Sequence, residues 1–307
     1  MQPDIVVVGS LNMDLIVRID RRPAKGETLL GTDFLMSPGG KGANQAYAAG
    51  KLGASVAMIG HVGDDLFADQ LVGNLRAVGV ETRCIDKLQG QASGIAMITI
   101  DAEGENSIIV APGANRLLTP EAVRKYESVI RNAKLLMVQL EIPPEAVAEA
   151  VSIARAHRVP VLLDPAPARP LEDELLGQID YLVPNENEIG QLTGIKVTNA
   201  ETARLAAAVL LERGVRTVLA KRGESGVVVV SRERTFEVPG YKVETVDTTA
   251  AGDAFAGALA TALAGGKELE DAVRFANAVG ALTVTRPGAQ NAMPTLAETE
   301  TFIRGYH

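Results

Sequence analysis

A single carboxylate follows a glycine at the start of an apolar segment, in the stretch DTTAAGDAFAGAL (247–259). The residues after Asp253 predict a buried helix. A helix start exposes backbone N–H groups and the positive end of the helix dipole, which together favour an anion such as phosphate. The alternative is that Thr248, Thr249 or Asp253 only caps the helix. Because Asp247 and the threonines could supply that cap, we favour the interpretation that Asp253 takes part in chemistry.

A second stretch with chemical potential is SPGGKGANQAYAAGKLGA (37–54). Its glycines permit positive φ angles or a close approach between the backbone and a ligand. A tight turn with close helix packing would explain the glycines alone. Lys41 and Asn44, however, lie among small apolar residues, where a buried ammonium or amide group needs partners. A polyhydroxyl ligand would supply those partners.

Two common phosphate-binding motifs are absent from the sequence. The first strand candidate leads into GSLNMD (9–14), which has one glycine where dinucleotide-binding folds carry G-x-G-x-x-G. The stretch around Lys41 departs from the P-loop motif because Leu35 stands where its first glycine is required. Both common phosphate-binding solutions, and with them an NAD-dependent dehydrogenase, are therefore disfavoured.

The elements that must position these stretches alternate along the chain. Short β-branched runs predict buried strands at 4–10, 55–60, 134–140, 159–164, 180–185 and 217–223. Helical patterns occupy 41–52, 64–77, 119–131, 144–157, 199–213, 251–265 and 267–284. This alternation predicts an α/β fold with a doubly wound, mostly parallel central sheet flanked by helices.

Two segments interrupt the alternation of strands and helices. Residues 14–36 and 93–113 alternate apolar and polar side chains around the turn sequences PAKGE and DAEGEN, which is typical of antiparallel hairpins. We expect a single domain over residues 1–307, with a small β-hairpin lid formed by the segments at approximately 12–38 and 92–112.

Ligands of such sheets bind beyond the carboxyl ends of the strands. Polar residues or glycines follow several of the strand candidates, namely Asn12, Asp14, Gln139, Glu141, Asp164, Asn185, Glu188, Gly223 and Gly226. The sequence therefore predicts a ligand site at this edge of the sheet.

Composition excludes several classes of partner. A net charge of −8 and a pI near 5.1 argue against binding to nucleic acid or to an anionic membrane surface. The beginning of the sequence lacks the basic region of a signal peptide, and no apolar stretch approaches membrane-spanning length. The sequence thus predicts a cytoplasmic protein. The single cysteine excludes an internal disulfide.

Taken together, GGKGANQA (39–46) and DTTAAGDAF (247–255) resemble the two signatures of the ribokinase family of carbohydrate kinases. The resemblance covers essentially the whole chain, because GSLNMD, PNENE (184–188), KRGESG (221–226) and FANAVGALTVTRPGAQ (275–290) also fall where that family places them. It implies ATP-dependent phosphorylation of ribose at the 5-hydroxyl, with magnesium and a monovalent cation, usually potassium.

The resemblance also implies roles for individual residues. The sugar would be held by Asn12, Asp14, Gly40, Lys41, Asn44 and Glu141, with Asp253 as catalytic base and the amides of Ala250, Ala251 and Gly252 as an anion hole. ATP would be held by Asn185, Glu188, Lys221, Gly223, Gly226, Gly252 and Asn277. Potassium would lie beside Asp247, Thr249, Thr283, Arg286 and Gly288. Two residues depart from the family pattern, Lys221 where threonine is frequent and Ala292 where a serine commonly contributes to the cation site.

Other functions remain open from the sequence. The rivals are another sugar or nucleoside kinase of the same family, acting on 2-deoxyribose, fructose or adenosine, and a non-catalytic sugar sensor. The polar residues favour a small polyol, since a nucleoside would want aromatic stacking and the chain has 4% aromatic residues and no tryptophan. A sensor would have no need of Asp253. We also expect a homodimer, paired through the apolar faces of the lid.

Overall fold

The structure is a computed structural model and describes residues 2–306 of the chain. Its strands, in chain order, are β1 Ile5–Val8, β2 Asn12–Arg18, β3 Asp33–Gly39, β4 Val56–Val62, β5 Ile85–Lys87, β6 Gly94–Ile100, β7 Asn106–Ala111, β8 Leu135–Val138, β9 Val161–Leu163, β10 Tyr181–Leu182, β11 Thr217–Lys221, β12 Val227–Ser231 and β13 Thr235–Val238. Its helices are α1 Lys41–Lys51, α2 Ala68–Ala77, α3 Pro120–Arg124, α4 Glu127–Ile130, α5 Pro144–Ala156, α6 Asp173–Leu176, α7 Glu186–Thr193, α8 Ala200–Glu212, α9 Ala251–Ala264, α10 Leu269–Val284 and α11 Leu296–Gly305.

A nine-stranded sheet forms the centre of the fold, in the order β13-β12-β11-β10-β9-β8-β1-β4-β5. The strands from β11 to β5 in this order pair in parallel, and only β12 and β13 join in antiparallel pairing. The predicted doubly wound, mostly parallel sheet with flanking helices is therefore confirmed.

The two faces of the central sheet carry separate hydrophobic cores, and β1 shows why its sequence is an unbroken apolar run. Ile5 and Val7 belong to the core that packs against α1, α9 and α10. Val6 and Val8 belong to the core that packs against α5 and α8. Because successive side chains of a strand point to opposite faces, a strand covered on both sides must be apolar at every position.

A second sheet, which we call the small sheet, has four strands in the order β3-β2-β6-β7. The pairs β2–β3 and β6–β7 are antiparallel hairpins, and parallel pairing of β2 with β6 joins them. The two hairpins come from the segments that the sequence predicts to be hairpins. The first is connected by a long loop over residues 19–32 instead of a tight turn at PAKGE.

Several helices and strands differ from those predicted from the sequence. The helix predicted over 119–131 is divided into α3 and α4, because Lys125 and Tyr126 turn toward Asp86, which accepts hydrogen bonds from both at 2.7 and 2.8 Å. The helix predicted over 64–77 begins only at Ala68, where the Asp65 side chain accepts hydrogen bonds from the first amides. The elements predicted from the sequence do not include helices α6, α7 and α11, strand β5 or the hairpin β12–β13. None of the helices within residues 2–306 is both long enough and apolar enough to span a bilayer.

Candidate active site

The start of α1 packs directly against the connection between β1 and β2. Gly40 has a φ of 87°, and a β-carbon there would lie 2.7 Å from the backbone nitrogen of Asn12. A β-carbon on Gly42 would lie 2.6 Å from the nitrogen of Ser10. Both positions therefore require glycine. This close approach brings the first turn of α1 to the carboxyl end of β1.

The two sequence motifs meet at a hydrogen bond between α1 and α9. Nδ2 of Asn44 donates to Oδ2 of Asp253 at 2.9 Å, and both side chains are buried. Nε2 of Gln290 donates to Oδ1 of Asn44 at 2.9 Å, which fixes the orientation of the Asn44 amide. The carboxylate at the start of α9 is thus held by a residue from the first motif.

Gln45, the next residue along α1, connects Asp253 to a second buried carboxylate. Its Nε2 donates to Oδ1 of Asp253 at 3.2 Å and to Oδ2 of Asp164 at 2.9 Å. Nε2 of Gln139 donates to Oε1 of Gln45 at 2.6 Å, so the Gln45 amide must present its nitrogen to the carboxylates. Asp164 in turn accepts a hydrogen bond from Nζ of Lys221 at 3.3 Å.

Burial raises the pKa of Asp253 above its ordinary value, although the charge of Lys41 and the hydrogen bonds from Asn44 and Gln45 act in the opposite direction. The same environment acts on Lys41, whose pKa is raised chiefly by the negative charge of Asp253 and further by Asp164, Glu141 and Glu188. A carboxylate with a raised pKa accepts a proton more readily than an exposed one. Asp253 is therefore suited to act as a general base.

The small sheet contributes Asp14 to the same region. Asp14 is 9% exposed and packs against the backbone of Gly39, where a β-carbon would collide with the carboxylate. Burial, together with the charges of Glu141 and Asp253, raises the pKa of Asp14 to about 7. Glu141 lies on the other side of the α1 turn, where its Oε2 accepts hydrogen bonds from Oγ of Ser10 at 2.6 Å and from the amide of Lys41 at 3.0 Å.

Asn12 is oriented by Asn115, a buried residue in the turn after β7. Nδ2 of Asn115 donates to Oδ1 of Asn12 at 2.8 Å and to the carbonyl of Leu11 at 3.0 Å. Oδ1 of Asn115 accepts from the amide of Leu11 at 2.9 Å. Because the oxygen of the Asn12 side chain is already used, its NH₂ group is the part left to donate to a ligand.

The start of α9 differs from the capped helix that the sequence suggests. Ala250 occupies the N-cap position with a left-handed backbone (φ 57°, ψ 11°), and no side chain caps the helix. The Asp247 carboxylate instead bonds to residues outside the helix. It accepts hydrogen bonds from the amide and the hydroxyl of Thr249 and from the amide of Gly288. The expectation that Asp247 and the threonines cap α9 is therefore wrong.

Free backbone amides remain at this helix start. The amide of Ala251 donates to the carbonyl of Thr248 at 3.3 Å. Within residues 2–306, the amides of Ala250, Gly252 and Asp253 have no acceptor. These groups and the helix dipole can stabilise an anion beside the Asp253 carboxylate.

The residues predicted to bind a nucleotide lie around the turn after β11. Asn185 and Glu188 form a capping box at the start of α7, and the amide of Lys221 bonds to the carbonyl of Pro184 at 2.9 Å. Gly223 and Gly226 have φ of 52° and 89°. Nδ2 of Asn277 donates to the carbonyl of Pro239 at 3.0 Å, in the loop that also closes on Gly226. Burial raises the pKa of Glu188, although the charge of Lys221 lowers it.

The residues predicted to hold a monovalent cation gather around the segment after α10. Asp247 bonds to Thr249 and Gly288, as described above, and its own amide bonds to the carbonyl of Val284 at 3.2 Å. The side chains of Thr283 and Arg286 turn elsewhere, to the carbonyl of Val279 and to the carboxylate of Glu298. Oxygen ligands for a cation at this place would thus be Asp247 and backbone carbonyls, a donor type that suits hard cations.

Four further residues of the site have no role predicted from the sequence, namely Ser10, Gln45, Asn115 and Gln290. Gln45 lies beside Asn44 in the first motif, and its polar side chain in an otherwise small-residue helix was the available signal. Asn115 offered no such signal, because its partner Asn12 lies 103 positions away. Gln290 ends the family-like stretch 275–290, but nothing local links it to Asn44, which lies 246 positions away.

A parallel sheet that opens at one edge onto a helix start with free amides and a buried carboxylate can hold a phosphoryl group next to a hydroxyl group. This arrangement, together with the small sheet beside it, defines the class of the protein as an α/β phosphotransferase with an alcohol acceptor. Residues 2–296 match the family described as pfkB family carbohydrate kinase. The chain belongs to this family and is an ATP-dependent carbohydrate kinase, as the resemblance of its motifs predicts.

Individual relatives match over their full length. A ribokinase of Bacillus subtilis (strain 168) is 43% identical over 300 residues, which are 98% of this chain and 99% of that protein. A deoxyribokinase of Salmonella typhimurium is 37% identical over 301 residues, 98% of each. The structure of Arabidopsis thaliana ribokinase complexed with ribose and ATP is 34% identical, with a TM-score of 0.94 over 99% of both chains.

Proposed function

We propose that the protein transfers the γ-phosphoryl group of ATP to the 5-hydroxyl of D-ribose and releases ribose 5-phosphate and ADP. The observation that carries this proposal is the position of Asp253, which contacts Asn44 of the first motif and stands in the same helical turn as the free amides of Ala250 and Gly252. The full-length similarity to ribokinases, one of them complexed with ribose and ATP, supports the choice of substrates.

Asp253 serves as the base in this proposal. The sugar hydroxyl attacks the γ-phosphorus, and its proton passes to the carboxylate while the bond to the leaving ADP breaks. General-base assistance of this kind contributes about 10² to 10⁴ in rate. The free amides at 250–253 would donate to the phosphoryl oxygens, where charge stabilisation contributes a comparable factor.

The sugar would lie between the small sheet and the start of α1. The carboxylates of Asp14 and Glu141 can accept hydrogen bonds from sugar hydroxyls, whereas Asn12 and Lys41 can donate to them. Gly40 leaves room for the ring to approach the backbone. The two segments of the small sheet, at approximately 12–38 and 92–112 within a single domain, would act as a lid that excludes water during transfer.

Magnesium and potassium complete the proposal. Magnesium prefers carboxylate, phosphate and water oxygens, and Glu188 with Asn185 lies on the nucleotide side of the pocket to influence it. Its chemistry would be the neutralisation of charge on the phosphates. Asp247 and the backbone carbonyls around Thr283, Arg286 and Gly288 would hold potassium, and the alanine at 292 predicts a weak dependence on it.

Exposed apolar side chains on one face of the small sheet support the proposal of a homodimer. Met97 and Ile109 are 54% and 70% exposed and lie opposite one another on β6 and β7. Phe34 and Met36 of β3 are also more than half exposed, in register with the same face of the sheet. Pairing with a second copy would bury these side chains. A cytoplasmic location stays a prediction from the sequence.

A substrate panel tests the proposed function. The protein would be assayed with ATP and magnesium against ribose, 2-deoxyribose, fructose and adenosine, with and without potassium, and the product identified by ³¹P NMR. We expect the highest kcat/KM for ribose and a product phosphorylated at the 5-position. A higher kcat/KM for 2-deoxyribose, the substrate that the name of the Salmonella relative indicates, would contradict the ribose assignment while leaving the kinase activity intact.

A further inference from the structure

Lys221 is a nearly buried cation at the centre of the polar network, at the carboxyl end of β11. Its side chain is 13% exposed, and its Nζ lies 3.3 Å from Oδ1 of Asp164, which is 2% exposed. A β-carbon added to Gly252 would lie 3.3 Å from the same Nζ. The ammonium group is therefore fixed beside the first turn of α9, where the free amides are.

The charge of the surrounding pocket explains why a cation is needed there. The pocket contains more carboxylates than cations. Two ammonium groups, those of Lys41 and Lys221, face the carboxylates of Asp14, Glu141, Asp164, Glu188 and Asp253. The triphosphate of a nucleotide would add further negative charge to this excess. Of the two lysines, the Lys41 ammonium interacts most strongly with Asp253, whereas Lys221 lies on the nucleotide side.

A purely structural role explains the Lys221–Asp164 pair poorly. Nearly buried ion pairs contribute little net stability, because removing two charges from water offsets their attraction, and apolar replacements are often neutral. A nearly buried ion pair beside free amides and a carboxylate with a raised pKa is more typical of a functional site.

We propose that Lys221 is a catalytic residue of the transfer, held by Asp164 so that its ammonium binds phosphoryl oxygens of the nucleotide beside Gly252. This rests on the proposed kinase function and extends it. As the sugar oxygen bonds to the γ-phosphorus, the bond to the β–γ bridging oxygen breaks, ADP leaves with the bonding electrons, and the proton passes to Asp253. Lys221 stabilises the negative charge on the oxygens around phosphorus throughout this step.

Gln45 is the positioning residue that connects the cation to the base. Its NH₂ group donates to both Asp164 and Asp253, so the carboxylate that fixes Lys221 and the carboxylate that accepts the proton share one donor. Gln139 fixes the orientation of the Gln45 amide by donating a hydrogen bond to its oxygen. The distance between the phosphate-binding ammonium and the proton acceptor is thereby set by a single side chain.

The test compares Lys221→Met and Lys221→Arg with the double variant Lys221→Met/Asp164→Asn. The double variant does not leave a charged Asp164 without its cation, so we expect it to fold even where the single variant is destabilised. We expect kcat to fall by about a hundredfold or more in both Lys221→Met proteins, with partial recovery in Lys221→Arg and an unchanged KM for ribose. Lys134→Met/Asp4→Asn removes a matched ion pair of 3.0 Å on the surface and should leave kcat unchanged.

A binding measurement separates catalysis from folding. With ADP and magnesium, aluminium fluoride mimics the transferring phosphoryl group, and its effect on ADP affinity can be measured by calorimetry. We expect aluminium fluoride to tighten ADP binding in the wild type and not in either Lys221→Met variant, at an unchanged melting temperature for the double variant. Wild-type kcat and tightening in the folded double variant would overturn the proposal for Lys221. A wild-type protein that phosphorylates no sugar would instead contradict the proposed function.

Discussion

Asn44 and Asp253 are 209 positions apart in the chain, and the amide of one donates to the carboxylate of the other at 2.9 Å. The contact unites the glycine-rich turn at the start of α1 with the uncapped start of α9. Since neither motif alone would place a sugar hydroxyl next to a phosphate, we expect the proposed activity to depend on this junction. The variants below test it and the residues around it.

Asp253→Asn should strongly reduce turnover while retaining sugar binding. The amide cannot accept the hydroxyl proton, and kcat is expected to fall by at least about a hundredfold. Ribose affinity, measured by calorimetry, should change by less than tenfold. Asp173→Asn, at an exposed carboxylate, serves as the control. Near-normal turnover by Asp253→Asn would remove this residue from the role of base.

Asn115→Asp should weaken sugar binding through Asn12. The new carboxylate can still accept from the amide of Leu11, but it no longer donates to Oδ1 of Asn12, so the Asn12 amide can turn its nitrogen away from the ligand. We expect the KM for ribose to rise about tenfold, equivalent to about 1.4 kcal/mol, with a smaller change in kcat. Asn132→Asp, at an exposed asparagine, is the matched control. Equal KM values in the two variants would refute the orienting role of Asn115.

Ribose affinity should decrease as the pH falls through about 7. Asp14 has a pKa of about 7 in the folded protein without ligand, and its ionised form accepts stronger, charge-assisted hydrogen bonds from sugar hydroxyls than its protonated form does. Calorimetric titrations between pH 5.5 and 8.5 would show the effect. Asp14→Asn should bind ribose more weakly and without this pH dependence. A flat profile for the wild type would contradict the prediction.

The same group makes stability depend on pH. Its folded pKa of about 7 exceeds the ordinary value of 3.8, so between these pH values the folded protein retains a proton that the unfolded chain has released. The contribution of Asp14 to the free energy of unfolding therefore falls as pH rises from about 4 to about 7. Urea denaturation of wild type and Asp14→Asn at pH 5 and 8 should show a larger stability gain for the variant at pH 8.

Ala250→Gly should stabilise the protein slightly. A non-glycine residue in the left-handed region costs about 1–2 kcal/mol, whereas the added flexibility of glycine in the unfolded chain opposes the gain by about 0.4–1 kcal/mol. Arg158→Gly, at a residue with φ 60° away from the site, provides the comparison. Both should raise the urea midpoint. A clear loss of stability in Ala250→Gly alone would show that the alanine methyl group makes contacts worth more than the strain.

Ile109→Lys should dissociate the proposed dimer. The substitution places a charge beside Met97 on the exposed face of the small sheet, on its edge strand β7, where burial against a second copy would be unfavourable. Light scattering at micromolar concentration should report a dimer for the wild type and a monomer for the variant. Leu66→Lys changes a leucine that is 89% exposed elsewhere on the surface and should not alter the mass.

Much of the architecture could be predicted from local patterns. The strands of the central sheet are apolar runs because both of their faces are covered, and the small sheet shows alternation because its outer part is exposed. The division of 119–131 into α3 and α4 could not be predicted, since it depends on Asp86, which comes from a distant strand. The absence of a side-chain cap on α9 could not be predicted for a similar reason. Asp247 accepts a hydrogen bond from the amide of Gly288, which is distant in the sequence.

The residues of the candidate site could likewise be predicted only where a local pattern marks them. Asp253, Asn44 and Lys41 could be predicted as candidates because each is a polar residue in an apolar or glycine-rich context. Gln45 and Asn115 act by orienting other side chains, and such a role depends on partners that sequence spacing does not reveal. The pKa of Asp14 also depends on burial and on Glu141, which no local pattern contains.

The order of the segments along the chain has a consequence for synthesis. Both hairpins of the small sheet, α1 and Glu141 belong to the first half of the chain, whereas α9 begins only at Ala251. A nascent chain could therefore assemble most of a sugar pocket well before Asp253 leaves the ribosome. Proton acceptance and phosphate binding at α9 would come last, so we expect that truncated chains are unable to consume ATP.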